Sequence, residues 1–224
     1  MKYTDKLDRE SNRDFALRVI RQNIINLELL PGCMISEQDL ADELAISRTP
    51  VHEALQEISK TKIIEIYPQK GSLVSLIDMK LVKEARFLRA TLESVITEMA
   101  CQNATPEQLQ ELEENVNLQE FYLKKQVNEK IMELDNAFHE MMYKIADKEQ
   151  TYYMVKTMNI HYDRFRELRL KASPSQPIIA DHKLILEAML AKDSEKAKTL
   201  VINHLSKIND EEIDVRKKFP EYFL

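Results

Sequence analysis

Glycine is nearly absent from this 224-residue chain: Gly32 and Gly71 are the only two, and none follows Met79. Phosphate-cradling loops and dinucleotide-binding turns need glycine where the backbone meets phosphate. P-loop and Rossmann chemistry is therefore excluded from residues 79–224. Cysteine is equally scarce. Cys33 and Cys101 are too few and too far apart for a disulfide framework, which fits a reducing cytoplasm. No apolar run reaches membrane-spanning length. The first dozen residues are polar and charged, unlike a secretory signal. Positive charge is not in excess either. The net charge is −6, and residues 1–76 hold ten Lys/Arg against twelve Asp/Glu. Binding to nucleic acid would need a local basic surface, from side chains such as Arg48, Lys60 and Lys70.

An apolar content of 44% is enough for real cores, and the length suits two domains, placed here at residues 1–76 and 77–224. The stretch from Pro31 to Gly71 organises the first. Pro31-Gly32 marks a turn. Ser36 is a good N-cap, and Leu40, Ala41, Leu44 and Ala45 give a short amphipathic helix. Ser47 caps a second helix with Pro50 in its first turn and Val51, Ala54, Leu55 and Ile58 on its inner stripe. Two short helices joined this tightly make a helix-turn-helix, whose second helix can enter a DNA major groove. Arg48, Thr49, His52, Glu53 and Gln56 are left facing outward and suit phosphate and base-edge contacts. The period then changes from helix to strand. Ile63, Ile64 and Ile66 precede a Gln69-Lys70-Gly71 turn, and Leu73, Val74 and Leu76 follow it, which predicts a β-hairpin wing. Residues 13–29 read as an opening helix that packs behind this pair, and Ser75–Asp78 as a short linker.

These motifs resemble the GntR family of winged-helix transcription regulators: P-G-x-x-I-S-E-x-x-L-A-x-x-L, then S-R-T-P-V-x-E-A-L, then P-x-K-G-x-x-V, in order and at matching spacing. The resemblance implies DNA contacts from Ser47, Arg48, Thr49 and His52 on the recognition helix, from Gln38 on the helix before it, and from Lys70 and Gly71 at the wing tip. It also implies a homodimer on a palindromic double-stranded operator. Three departures stand out. His52 replaces a usual arginine, Ile46 sits where a Gly-Val-like pair is common, and Lys62 occupies a place where glycine often enters the first wing strand.

Beyond Met79 the composition predicts helices near 78–102, 106–126, 128–147, 150–171, 176–191 and 193–215. Asp78, Thr105 before Pro106, and Asp193 mark starts, and Pro174 and Pro177 bracket a break. The expected fold is mainly α: a winged helix-turn-helix with a small β-hairpin wing, then an all-α six-helix antiparallel bundle. Polar residues interrupt its apolar stripes. Asp135 and His139, four apart, share a face with Met132, Met142 and Ala146. His182 lies with Ile178, Ile185 and Met189, and His204 with Ala197, Val201 and Ile208. One carboxylate and three imidazoles could form a shell for a divalent transition metal, with zinc or nickel suiting the set best. The residues alone equally allow four satisfied core side chains.

Residues 79–215 are similar to the FCD ligand-binding domain of the FadR-like GntR subfamily, through R-A-T-L-E at 89–93, D-N-A-F-H at 135–139, D-H-K-L-I-L-E-A-M at 181–189 and A-K-T-L-V-I-N-H-L at 197–205. The resemblance implies that Asp135, His139, His182 and His204 ligate the metal and that Arg89 pairs with the carboxylate of a small organic-acid effector. Arg89 could instead pair with Glu93, its i+4 neighbour. His161 reads as a solvated or partly buried helix residue. A metal-dependent hydrolase is the alternative function. Its attraction is His139-Glu140-Met141-Met142-Tyr143, but Tyr143 stands where a zinc-protease motif needs its second histidine. The N-terminal dozen and the tail F-P-E-Y-F-L carry no motif.

Overall fold

The computed structural model describes the chain except residues 3–4, 173–175 and 207, and except the side chains of 176–177 and 208–211. It divides into two compact units. One is Met1–Val82 with Ile160–Leu168 and Phe219–Leu224, and the other is Lys83–Asn159 with Arg169–Lys218.

The first unit opens with α1 (Asn12–Ile25), capped by the Ser11 side chain, which accepts from Asp14 N–H. Strand β1 (Met34–Ile35) leads to α2 (Glu37–Leu44), where the Ser36 hydroxyl accepts from Gln38 and Asp39 N–H. Helix α3 (Arg48–Ser59) follows. Its N-cap is Ser47, but the Ser47 side chain makes no capping bond. Phe15, Val19, Ile20 and Ile24 of α1 pack with Leu40 and Leu44 of α2 and with Val51, Leu55 and Ile58 of α3. The wing is β2 (Ile64–Tyr67) and β3 (Gly71–Val74), paired antiparallel. The sheet has a third strand that the sequence did not announce: β1 pairs with the other edge of β3, Met34 opposite Leu73 and Ile35 opposite Ser72. Two residues are too short to show a period of two.

Gly71 is required where it stands. Its φ is +109°, and a Cβ there would lie 2.8 Å from the Ile35 carbonyl oxygen of β1. Lys62, at the position where the resemblance suggests glycine, nonetheless adopts a left-handed φ of +63°. Ala45, the C-cap of α2, does the same at +55°, so the turn of the helix-turn-helix is made without glycine. The motif-free tail has a place in this unit: Ile77 N–H donates to the Tyr222 carbonyl at 2.8 Å, and Leu224 N–H to that of Ile77 at 3.2 Å.

The helices α4 (Met79–Asn103), α5 (Pro106–Lys125), α6 (Asn128–Ile145), α7 (Glu149–Met158), α8 (Ile160–Ala172), α9 (Gln176–Leu190), α10 (Ser194–Ser206) and α11 (Ile208–Lys218) make up the rest, followed by a 3-10 turn at Pro220–Tyr222. The expected caps act as read. Asp78 Oδ1 accepts from Lys80 N–H, Thr105 and Gln108 form a capping box, and Asp193 Oδ1 accepts from Lys196 N–H. In the second unit α5 packs on α6 and α9, and α9 on α10. Leu112, Val116, Phe138, Tyr143, Ile185 and Met189 fill the interior.

One expected helix is divided among the described residues. The span 150–171 breaks at Asn159 into α7 and α8, because Ile160 leaves the bundle's stripe and enters the core of the first unit. The span 193–215 is covered by α10 and α11, and residue 207 between them lies outside the described residues. The break expected at Pro174 also lies outside them. No described helix is long and apolar enough to cross a membrane.

Candidate metal centre and DNA-reading face

In the second unit, α6 presents Asp135 and His139 one turn apart, α9 presents His182 and α10 presents His204. One ligand atom from each lies within 4.8 Å of the others. Asp135, His139 and His182 are buried and His204 is partly so. His139 Nε2 stands 3.9 Å from Asp135 Oδ2, and His182 Nε2 stands 3.7 Å from Asp135 Oδ1. The other nitrogen of each ring is anchored outside the cluster. His139 Nδ1 lies 2.6 Å from Glu93 Oε2, His182 Nδ1 2.8 Å from Gln119 Oε1, and His204 Nδ1 3.2 Å from Asp181 Oδ2. An oxygen can only accept here, so a neutral ring keeps its proton on Nδ1 and turns the Nε2 lone pair to the centre.

The Nε2 atoms of His139 and His182 are buried and make no hydrogen bond among the described residues. A buried acceptor without a donor costs about 1–3 kcal/mol. Burial pushes the His139 imidazole down, outweighing the nearby Glu93 carboxylate that would raise it. Burial, then the neighbouring His204, pushes His182 well below the ordinary histidine range. Both rings are thus held neutral, the form a metal ligand requires. The Phe138 ring stacks on His182 at 4.3 Å.

Arg89 belongs to the same buried region. Its Nε donates to Glu93 Oε1 at 2.6 Å, and both side chains are almost wholly buried. Burial alone would raise the Glu93 carboxyl; Arg89 and His139 together bring it down to about 2. Arg89, Glu93 and His139 therefore form one chain of contacts between the effector candidate and the metal candidates. Tyr143, one turn beyond His139 on α6, is fully buried with a hydroxyl that makes no hydrogen bond among the described residues. Of the three anchors, Asp181 adjoins His182 and Glu93 is i+4 from Arg89, so spacing could have found both. Gln119 gives no signal in the sequence. His161 is not part of this cluster. It is buried in the first unit, with Nε2 2.7 Å from the Thr61 carbonyl oxygen, which corrects its reading as a solvated or partly buried residue.

In the first unit a cleft separates the helix-turn-helix from the wing. Gln38, Arg48, His52 and Gln56 line one side and residues 66–71, with Lys70 and Gly71, the other. Ser47 and Thr49 are exposed at the start of α3 but do not line it. Glu37, which the sequence did not single out, holds two of these side chains. Arg48 Nη2 donates to Glu37 Oε2 at 3.0 Å, and His52 Nδ1 lies 2.7 Å from Glu37 Oε1. Hydrogen bonding to His52, then to Arg48, holds the Glu37 carboxyl below the usual range. Gln38 Nε2 donates to Asp42 Oδ1 at 2.8 Å.

Residues 13–74 match the family described as "Bacterial regulatory proteins, gntR family", and residues 84–207 match "FCD domain". The chain is 27% identical to the HTH-type transcriptional repressor RspR of Escherichia coli K12, over 92% of this chain and 91% of that protein. It is 31% identical to an HTH-type transcriptional regulator from an unstable DNA locus of Streptomyces ambofaciens, over 96% and 90%. The solved structure of E. coli McbR/YncC superposes with a TM-score of 0.80 at 21% identity, covering 93% of this chain and 99% of that one. With a helix-turn-helix and wing in its first unit and an FCD domain filling most of its second, the chain belongs to the gntR family of bacterial regulatory proteins and is a transcription regulator, not an enzyme.

Proposed function

We propose that this regulator binds a palindromic operator as a homodimer in the cytoplasm, and that its helical unit senses a small organic acid at a metal-containing site. One observation carries the sensing half: two buried imidazole Nε2 atoms without hydrogen-bond partners among the described residues converge on Asp135, while the opposite nitrogen of every ring is anchored. The donor set fits a divalent transition metal held by Asp135, His139, His182 and His204, with zinc or nickel suited to three imidazoles and one carboxylate. Such an ion supplies positive charge that attracts an anionic ligand.

The protein's own residues do the rest. Arg89 offers a guanidinium to an effector carboxylate in a dry region, where a charge-assisted bond is strong. Glu93 already holds Arg89, so an incoming carboxylate competes with Glu93 or shares Arg89 with it. Because Glu93 also touches His139, effector binding changes contacts on both α4 and α6. Operator affinity then changes by as much as the effector prefers one arrangement of these helices over another. On the DNA side, Gln38, Arg48, His52, Lys70 and Gly71 line one cleft, and Ser47 and Thr49 flank it within reach of phosphate. A symmetric dimer presents two such faces, which accounts for a palindrome.

The test is elemental analysis of the protein as purified, with gel retardation of DNA from its own upstream region in the presence and absence of small carboxylates. Near-stoichiometric metal and a carboxylate-dependent change in retardation are expected. Metal-free protein that responds fully to a carboxylate would show that the four residues are core packing only.

A further inference from the structure

The recognition helix carries a histidine whose two ring nitrogens are not equivalent in this fold. His52 Nδ1 is 2.7 Å from Glu37 Oε1, while the other oxygen of the same carboxylate takes Arg48 Nη2 at 3.0 Å. Arg48 and His52 are one helical turn apart on α3, so Glu37, from α2, brackets them as a unit. The bracket stands at the cleft between helix and wing, and His52 is half exposed there. Glu37 is itself only 21% exposed and is held as a carboxylate. A carboxylate can only accept, so a neutral His52 must carry its proton on Nδ1. Nε2, the ring nitrogen that Glu37 does not hold, then bears a lone pair. An arginine at this place could only donate.

We propose that Glu37 is a positioning residue for base readout: by holding His52 in the Nδ1–H form it makes Nε2 an acceptor, which reads the exocyclic amino group of adenine or cytosine in the major groove instead of a guanine edge. In that groove adenine N6 and cytosine N4 donate, whereas guanine N7 and O6 only accept. Glu37 thereby assigns opposite tasks to adjacent turns of one helix. Arg48 donates to an acceptor edge or a phosphate, and His52 accepts from an amino group. The proposal rests on the operator-binding reading above and concerns which base is chosen.

The experiment is selection of operators from a randomised DNA library by the full-length protein at pH 8, above the range where histidine ordinarily gains charge. His52→Ala first marks the position read, as the one whose preference flattens. At that position the wild type should favour adenine or cytosine over guanine by about fivefold, the worth of one hydrogen bond. His52→Arg should turn the preference to guanine. Glu37→Gln lets the ring take either tautomer and should leave no preference between guanine and the amino bases, while positions read by neither His52 nor Arg48 stay unchanged. Three outcomes overturn the proposal alone: guanine chosen by the wild type at the marked position, no position marked by His52→Ala in an otherwise specific selection, or a Glu37→Gln protein that loses affinity uniformly with its base preferences intact. A wild type that enriches no sequence at all overturns it together with the operator reading.

Discussion

His161 Nε2 lies 2.7 Å from the carbonyl oxygen of Thr61, two residues beyond the end of the recognition helix α3. The imidazole is buried, and its neighbour Ile160 sits in the same core as Val51, Leu55 and Ile58 of that helix. A segment distant in sequence thus satisfies a backbone acceptor at the back of the DNA-reading element. His161→Ala leaves that carbonyl without this donor and should destabilise the protein by about 1–3 kcal/mol. Metal content should not change, because His161 is outside the Asp135 cluster. Urea unfolding alongside elemental analysis checks both halves, and metal lost in step with stability would contradict the separation.

Lys62 is held at a φ of +63° between α3 and the wing. Side chains with a Cβ pay sterically in this region and glycine does not. Lys62→Gly should raise unfolding stability by about 1 kcal/mol, less whatever glycine adds to the freedom of the unfolded chain. The comparison is a pair of denaturation curves. A variant less stable than the wild type would show that Lys62 contributes contacts worth more than the strain.

Much of this fold was legible, because long amphipathic helices, caps and a Pro-Gly turn are local signals. Thr105 before Pro106, and Ser36 before Leu40, mark helix starts that the structure confirms. What could not be read is non-local. The two residues of β1 have meaning only beside β3, and Ile160 is apolar wherever α8 goes. For the metal candidates, the helical period alone placed Asp135 and His139 on one face. Nothing local says that His182 Nδ1 meets Gln119, 63 residues away, or that Glu37 brackets two side chains of the next helix.

Arg48 stands at the first position of the recognition helix, exposed and paired with Glu37. Arg48→Ala should weaken specific operator binding by about 1–3 kcal/mol and leave the melting of the helical unit unchanged. Binding should need both halves of a palindrome. Fluorescence titrations with whole and half operators provide the measurement, and equal affinity for the two would rule out the paired reading heads.

The segment before α1, silent in the sequence, is fastened to that helix at Glu10, whose carboxylate takes Arg18 Nε at 2.7 Å and Nη2 at 2.9 Å. The hydrogen bond from Arg18 lowers the Glu10 carboxyl to about 2. Its folded value thus lies below the unfolded one, near 4.3. The sign follows: the unfolded chain binds the proton first, so the pair contributes stability fully above pH of about 4.3 and loses it as pH falls toward 2. Glu10→Gln should free the segment at neutral pH as acid does in the wild type. Limited proteolysis of the N-terminus at pH 7 compares the two, and identical cleavage rates would show that the segment is held by other contacts.

The metal candidates come from three helices, α6, α9 and α10, so an ion there would cross-link the bundle. Anything bound only by the native state stabilises it, by about 4 kcal/mol at a thousandfold excess over its dissociation constant. Chelation should therefore lower the melting temperature of the helical unit and abolish the response to carboxylates. Basal DNA binding should survive, since the winged helix has a core of its own. Ligand imidazoles must be neutral, and burial holds His139 and His182 below the ordinary histidine range, so metal should persist through that range and leave only as pH falls below it. His204→Ala should reproduce the chelated state, because its ring is anchored by Asp181 and its loss removes one ligand without breaking the Glu93 or Gln119 contacts. The decisive measurements are metal content and thermal melts of the wild type before and after chelator, beside an Asp135→Ala/His139→Ala/His204→Ala protein. Stoichiometric metal in the triple variant would place the ion elsewhere. A verified metal-free wild type that melts and responds as before would leave these four side chains with a packing role alone.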